Sequence, residues 1–144
     1  MSCKTKSCTF NNIEGDDVAI FVRQLPATKA LDLQIELLNV MGTEVFPFIH
    51  GEFNFSNILR VMAASSHTQL SDIVKRVVCF ANKDGKEVKS ALFDTEYNGD
   101  LMLIWKVFAF VCEVNFKDFF RQGLEMNAQN KSEGETPSST EEQK

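Results

Sequence analysis

The stretch Gly99 to Phe120, GDLMLIWKVFAFVCEVNFKDFF, constrains this chain more than any other. It holds the only tryptophan, and between Leu101 and Val114 its only charges are Lys106 and Glu113. A segment this apolar has to be enclosed, either by lipid or by the rest of the protein. At about 100° per residue, Leu101, Ile104, Trp105, Phe108, Cys112, Phe116 and Phe119 fall on one helical face. Lys106, Glu113, Lys117 and Arg121 form a stripe opposite, interrupted by Leu103 and Phe110. A membrane span needs about twenty residues almost free of charge. This run is shorter and has a charged edge, so the pattern predicts the central helix of a soluble, mostly helical domain.

Composition narrows the partners. Of 144 residues, 44% are hydrophobic, enough for one domain with a sizeable core. Phenylalanine occurs 13 times, against one Tyr and one Trp. Phe brings contact area without a polar handle, which suits packing or apolar contact better than hydrogen-bonded recognition. The formal net charge is −5, and nucleic-acid binding needs a clustered positive field. No nucleic-acid partner is expected. The opening residues, MSCKTKSCTF, lack the apolar core of a secretion signal. Cys3, Cys8, Cys79 and Cys112 form no CxxC pair and no zinc spacing with His50 or His67. Together these features predict a protein of a reducing cytoplasm.

Turn and cap signals divide the chain. Lys6 to Gln24 reads as a β-hairpin turning at Glu14-Gly15-Asp16-Asp17, with a weaker first arm. Pro26 suits the first turn of a helix that Gly42 ends. Thr43 to Phe55, with four phenylalanines, reads as an irregular linker with at most one helical turn, whose rings either cap one end of the core or form a binding surface. Asn54 or Ser56 can cap a short helix carrying Ile58, Leu59 and Met62. Ser66 and Gln69 have the capping-box spacing before an amphipathic helix bearing Leu70, Ile73, Val74, Val77 and Val78. Asp84-Gly85 signals a tight turn, which allows a short ladder between Cys79–Ala81 and Glu87–Lys89. Asn98 or Asp100 should cap the central helix, which could restart at Asn115. From Asn127 onward the polar composition cannot offset its own ordering entropy.

The expected fold is thus α+β, mainly α. An N-terminal β-hairpin at about 6–24 packs on about four helices at 26–41, 56–64, 67–81 and 99–124. These form a single domain over residues 1–126, followed by a disordered acidic tail at 127–144.

Catalytic constellations are missing. The sequence contains no P-loop, dinucleotide fingerprint, HExxH or nucleophile elbow. A Cys79/His67 or Cys112/His50 dyad would place its thiol in a run that reads as buried, where a thiolate is disfavoured. No enzyme, no cofactor and no metal are expected. What remains is protein contact. Leu103 and Phe110, seven residues apart, lie almost in line on the charged stripe. Either the hairpin or the linker covers them, or they form an apolar strip rimmed by Lys106, Glu113 and Lys117, the anatomy of a partner site.

The order of these segments carries a resemblance. Leu25-Pro26 with Lys29-Ala30-Leu31 opens the first helix, and the last ends in Asn115-Phe116-Lys117-Asp118-Phe119-Phe120. From about Phe10 to Leu124 the chain resembles the small tail assembly chaperones of long-tailed bacteriophages. That resemblance implies a non-enzymatic protein acting in the cytoplasm of the infected cell. It would hold the aggregation-prone tape measure protein while tail-tube subunits polymerise around it, and would be absent from the mature virion. Self-association, contact with the tail-tube protein, and a longer frameshifted product whose linker is the polar tail belong to the same expectation. The alternative is a small structural or adaptor protein retained in the virion of a tailed phage.

Overall fold

Val18, Ile20 and Val22 are buried while Asp17, Ala19, Phe21 and Arg23 are exposed, the alternation of a strand with one face on a core. In the computed structural model, which describes residues 5–135, these residues form β2 (Asp17–Arg23). It pairs antiparallel with β1 (Thr5–Asn11), Thr5 opposite Arg23 and Asn11 opposite Asp17. The expected hairpin is therefore present, its first arm complete over seven residues.

Helix α1 (Ala27–Met41) follows Pro26 and ends at Gly42, whose φ of +62° suits a residue without a Cβ. It buries Leu33, Leu37 and Met41 at i, i+4 and i+8. The linker after it is more regular than its composition suggests. A 3-10 turn at Gly42–Val45 leads into α2 (Phe46–His50), which ends at Gly51 in the left-handed region. Phe48 is fully buried and stacks on Phe53 at 5.1 Å. These rings belong to the core rather than to a cap at its end.

Helix α3 (Phe55–Ala64) starts from a reciprocal cap. Asn57 N–H donates to Asn54 Oδ1 at 3.0 Å, and Asn54 N–H donates to Asn57 Oδ1 at 2.7 Å. Its buried residues are Asn57, Ile58 and Val61, so Leu59 and Met62, expected inside, face outward. Helix α4 (His67–Val78) has Ser66 at the capping position, but the Ser66 side chain makes no cap hydrogen bond. It stops three residues before the expected Ala81, because Ala81 is taken into a strand.

That strand, β3 (Ala81–Lys83), pairs with β4 (Lys86–Glu87) across the Asp84-Gly85 turn and with β2 on its other edge. The ladder thus lies one or two residues from its expected register and extends the hairpin into a four-stranded sheet ordered β1-β2-β3-β4. A 3-10 turn at Ser90–Leu92 and the single turn α5 (Phe93–Glu96) lead to the central helix.

Helix α6 (Leu101–Glu135) runs 35 residues without a restart at Asn115 and passes well beyond the expected end near residue 124. Residues 127–135, expected to be disordered, are helical; Ala, Gln, Glu, Leu and Met around them are good helix formers. The remainder of the expected tail, 136–144, lies outside the described residues. From Leu103 to Phe116, α6 is sandwiched, with β1 and β2 on one side and α2 and α4 on the other. It is accordingly buried almost all round, at Leu103, Val107, Phe108, Ala109, Val111, Cys112, Val114 and Phe116. One-faced periodicity misplaced two residues of this helix: Leu101 and Phe119 are exposed, because they lie beyond the layers that cover its middle. No described helix is long and apolar enough to cross a membrane.

Candidate functional site

Asp100 fixes where α6 begins. It is buried; the Leu103 N–H donates to its Oδ1 at 3.1 Å, and the Ile13 N–H of the hairpin turn donates to its Oδ2 at 2.8 Å. One carboxylate thus caps the helix and ties it to the hairpin. The cap sets the rotation of the first turn, and Leu101 points outward, 73% exposed.

Leu101 stands at the mouth of an apolar groove of about 630 Å³. Leu70 and Val74 of α4 and Ile104 and Trp105 of α6 line it together with Phe93 of α5 and Met62 of α3. Trp105 is held from behind, 5.7 Å from the Phe48 ring and edge-on to Phe108 at 5.6 Å. The apolar surface continues outward along α3, where Phe55, Leu59 and Met62 are exposed at i, i+4 and i+7. Polar groups stand only at intervals: His67, Ser71, Lys75 and Asp94. The Lys75 Nζ sits 5.6 Å from the centre of the Phe93 ring. Among the described residues neither Lys75 nor Asp94 forms an ion pair.

The strip expected on the other side of α6 is organised differently. Leu103 is 2% exposed, a core residue beneath the sheet. Phe110 is half-buried, with Phe10 of β1 edge-on at 6.2 Å. The hairpin therefore covers both residues, and neither presents the open apolar strip that the sequence pattern allowed. Lys106 is half-buried. Glu113 and Lys117 do meet, at 3.5 Å across one turn. The Glu113 carboxylate also lies against Gly51, where an added Cβ would stand 3.1 Å from Oε1. The groove is not legible in the sequence, because periodicity puts Leu101, Ile104 and Trp105 on the same apolar face as the buried Phe108 and Cys112. The signal that could have found it is α3, whose apolar residues are too many for one face.

Burial pushes the Cys8, Cys79 and Cys112 thiols up, Cys112 most, which disfavours a nucleophilic thiolate. Among the described residues no group of three His, Cys, Asp or Glu could hold a metal ion. An open apolar groove of this kind suits contact with a protein partner.

Comparison with known families gives that class a specific identity. The model of a family described as phage tail assembly chaperone protein, TAC, matches residues 16–128, which include both sides of the groove and most of the sheet. The chain belongs to this family of phage tail assembly chaperones. No curated protein and no solved structure matches it.

Proposed function

We propose that the chain binds the tape measure protein in the host cytoplasm and keeps it soluble while tail-tube subunits assemble around it. The chain then leaves before the virion is complete. The observation that supports this reading most is the open groove, with Leu101 and Met62 at its mouth, on a member of an assembly-chaperone family. A holdase must offer apolar surface to a client without exposing so much that it aggregates. A recessed groove flanked by charged side chains meets both demands. The acidic net charge argues against nucleic acid as the ligand. The Glu113–Lys117 pair and Lys106, beside the covered Phe110, are proposed as a second, polar contact to the tail-tube protein.

Co-expression with the tape measure protein of the same phage tests the proposal. The expected result is a soluble complex, with the chain absent when purified virions are analysed by mass spectrometry. A stoichiometric amount of the chain in virions would favour the structural or adaptor role instead.

A further inference from the structure

We infer that the groove recognises an amphipathic helix rather than an extended segment, and that this helix carries an acidic residue against Lys75 and a basic residue against Asp94. The inference rests on the proposed client-holding role and specifies the form in which the client is held.

The argument begins with the walls. The groove lies between α3, α4, α5 and α6, and along the interior turns of α3, α4 and α6 the backbone N–H and C=O groups are engaged within their own helices. Its floor is Leu70, Val74, Ile104 and Trp105, which offer an incoming peptide backbone little to bond with. An extended segment pressed against that floor would bury amide groups without partners, at a cost of about 1–3 kcal/mol for each. A helix arrives with its backbone already satisfied and offers only side chains. The sheet edges, where an extended segment could add a strand, belong to β1 and β4 and are not part of this groove.

Charge then restricts which helix fits. Lys75 of α4 sits over the Phe93 ring, Asp94 of α5 lines the same groove, and neither has an ion-pair partner among the described residues. An apolar helix face docking here brings its flanking residues over both. A carboxylate over Lys75 and a cation over Asp94 satisfy the wall, and the reverse placement sets like charges together. A second copy could enter through the C-terminal part of α6, which exposes Phe119, Leu124 and Met126. The two acids of that stretch, Asp118 and Glu125, are accompanied by a single base, Arg121, which pairs with Asp118 at 3.3 Å. Between Phe119 and Met126, the apolar stretch a second copy would insert, no base other than Arg121 stands ready for Asp94.

The test uses the full chain and overlapping synthetic peptides that tile the tape measure protein of the same phage. The expected result is one or a few peptides that gain helical circular dichroism on binding. Proline at the centre of such a peptide should abolish binding. Leu101→Asp should weaken binding about tenfold or more. It should leave the fold intact, since the position is exposed and an acid suits the first turn of a helix. Lys75→Glu should weaken the same peptide severalfold, and exchanging the peptide's acid for lysine should restore it. Binding without helix gain, tolerance of the central proline, or full affinity in Leu101→Asp would each overturn the inference. So would a concentration-dependent dimer that Leu101→Asp dissolves, which would assign the groove to a second copy. Failure of the full-length tape measure protein to bind would instead remove the client-holding role. A full-length complex that survives Leu101→Asp removes only the helix-in-groove inference.

Discussion

The Leu25 backbone N–H donates to the side-chain oxygen of Asn115 at 2.8 Å, joining the start of α1 to the middle of α6 across 90 positions of sequence. Asn115 Nδ2 donates in turn to the Val111 carbonyl one turn back at 2.9 Å, and the helix runs on through a residue that reads as a restart. The neighbouring Gln24 Nε2 donates to the Val114 carbonyl at 3.3 Å. Leu25-Pro26 and Asn115-Phe116, the two strings that carry the resemblance to tail assembly chaperones, are thus in contact. Their role is to lock the sheet–helix junction onto the central helix. Asn115→Ala should therefore destabilise the domain by about 1–3 kcal/mol, since a partly buried N–H loses its acceptor. Urea denaturation measures it, and binding by the folded fraction should not change.

Asp100 makes a parallel case at the other end of the hairpin. Asp100→Ala removes acceptors from two backbone donors, Leu103 N–H and Ile13 N–H, and should cost about 1–2 kcal/mol. Asp100→Asn retains one acceptor and should cost less. Because this cap sets the rotation of Leu101, Asp100→Ala should also weaken client binding at temperatures where the domain is still folded.

Tyr97 governs the alkaline limit. Its ring packs on Phe93 at 5.3 Å, and its buried hydroxyl has no hydrogen-bond partner among the described residues. Burial, first, and the nearby Cys79, Glu96 and Asp84 push its pKa well above the usual tyrosine range. Burial raises Cys112 likewise. Both groups hold their proton more tightly when folded than when unfolded. Their contribution is therefore complete below the unfolded values, about 8.5 for Cys and 10 for Tyr, and is lost as pH rises above them. Melting temperature should fall from about pH 8.5 upward, and the double variant Tyr97→Phe/Cys112→Ala should flatten that fall. Tyr97→Phe alone should raise stability at neutral pH by about 1 kcal/mol, because it removes an unsatisfied hydroxyl.

Thiol labelling offers an independent check on the core. Cys112 is fully buried in α6 and should react with a thiol reagent only at the rate of global unfolding. Cys8 and Cys79 are half-buried and should react faster, though below the rate of a free thiol, because burial raises both pKa values. A fast-reacting Cys112 would mean that α6 is not sandwiched as described.

Local chemistry made much of this fold legible. Gly42, Asn54 and the Asp84-Gly85 turn each act where their conformational preferences place them, and β2 and α4 follow their periodicities. What the sequence could not show is which layers meet. The pairing of β3 with β2 joins residues about sixty positions apart, and no local signal announces it. The same ignorance of layers misassigned α6. Whether Leu103 and Phe110 are covered or form an open strip stays undecided in the sequence, because nothing local reveals that the hairpin lies over them, and Phe119 reads as core although the body ends before it. The groove combines both effects. Its walls come from four helices, and Leu101, 73% exposed at its mouth, is apolar and therefore reads as interior.

The most direct measurement is the amount of soluble tape measure protein that co-purifies with the wild-type chain and with the variant Met62→Asp/Leu101→Asp. Both positions are exposed, so the variant should keep its melting temperature to within a few degrees. A wild-type complex that falls about tenfold or more in the variant is the predicted result. Equal recovery with the two chains would contradict the groove as the client site, and no recovery with either would contradict the client itself.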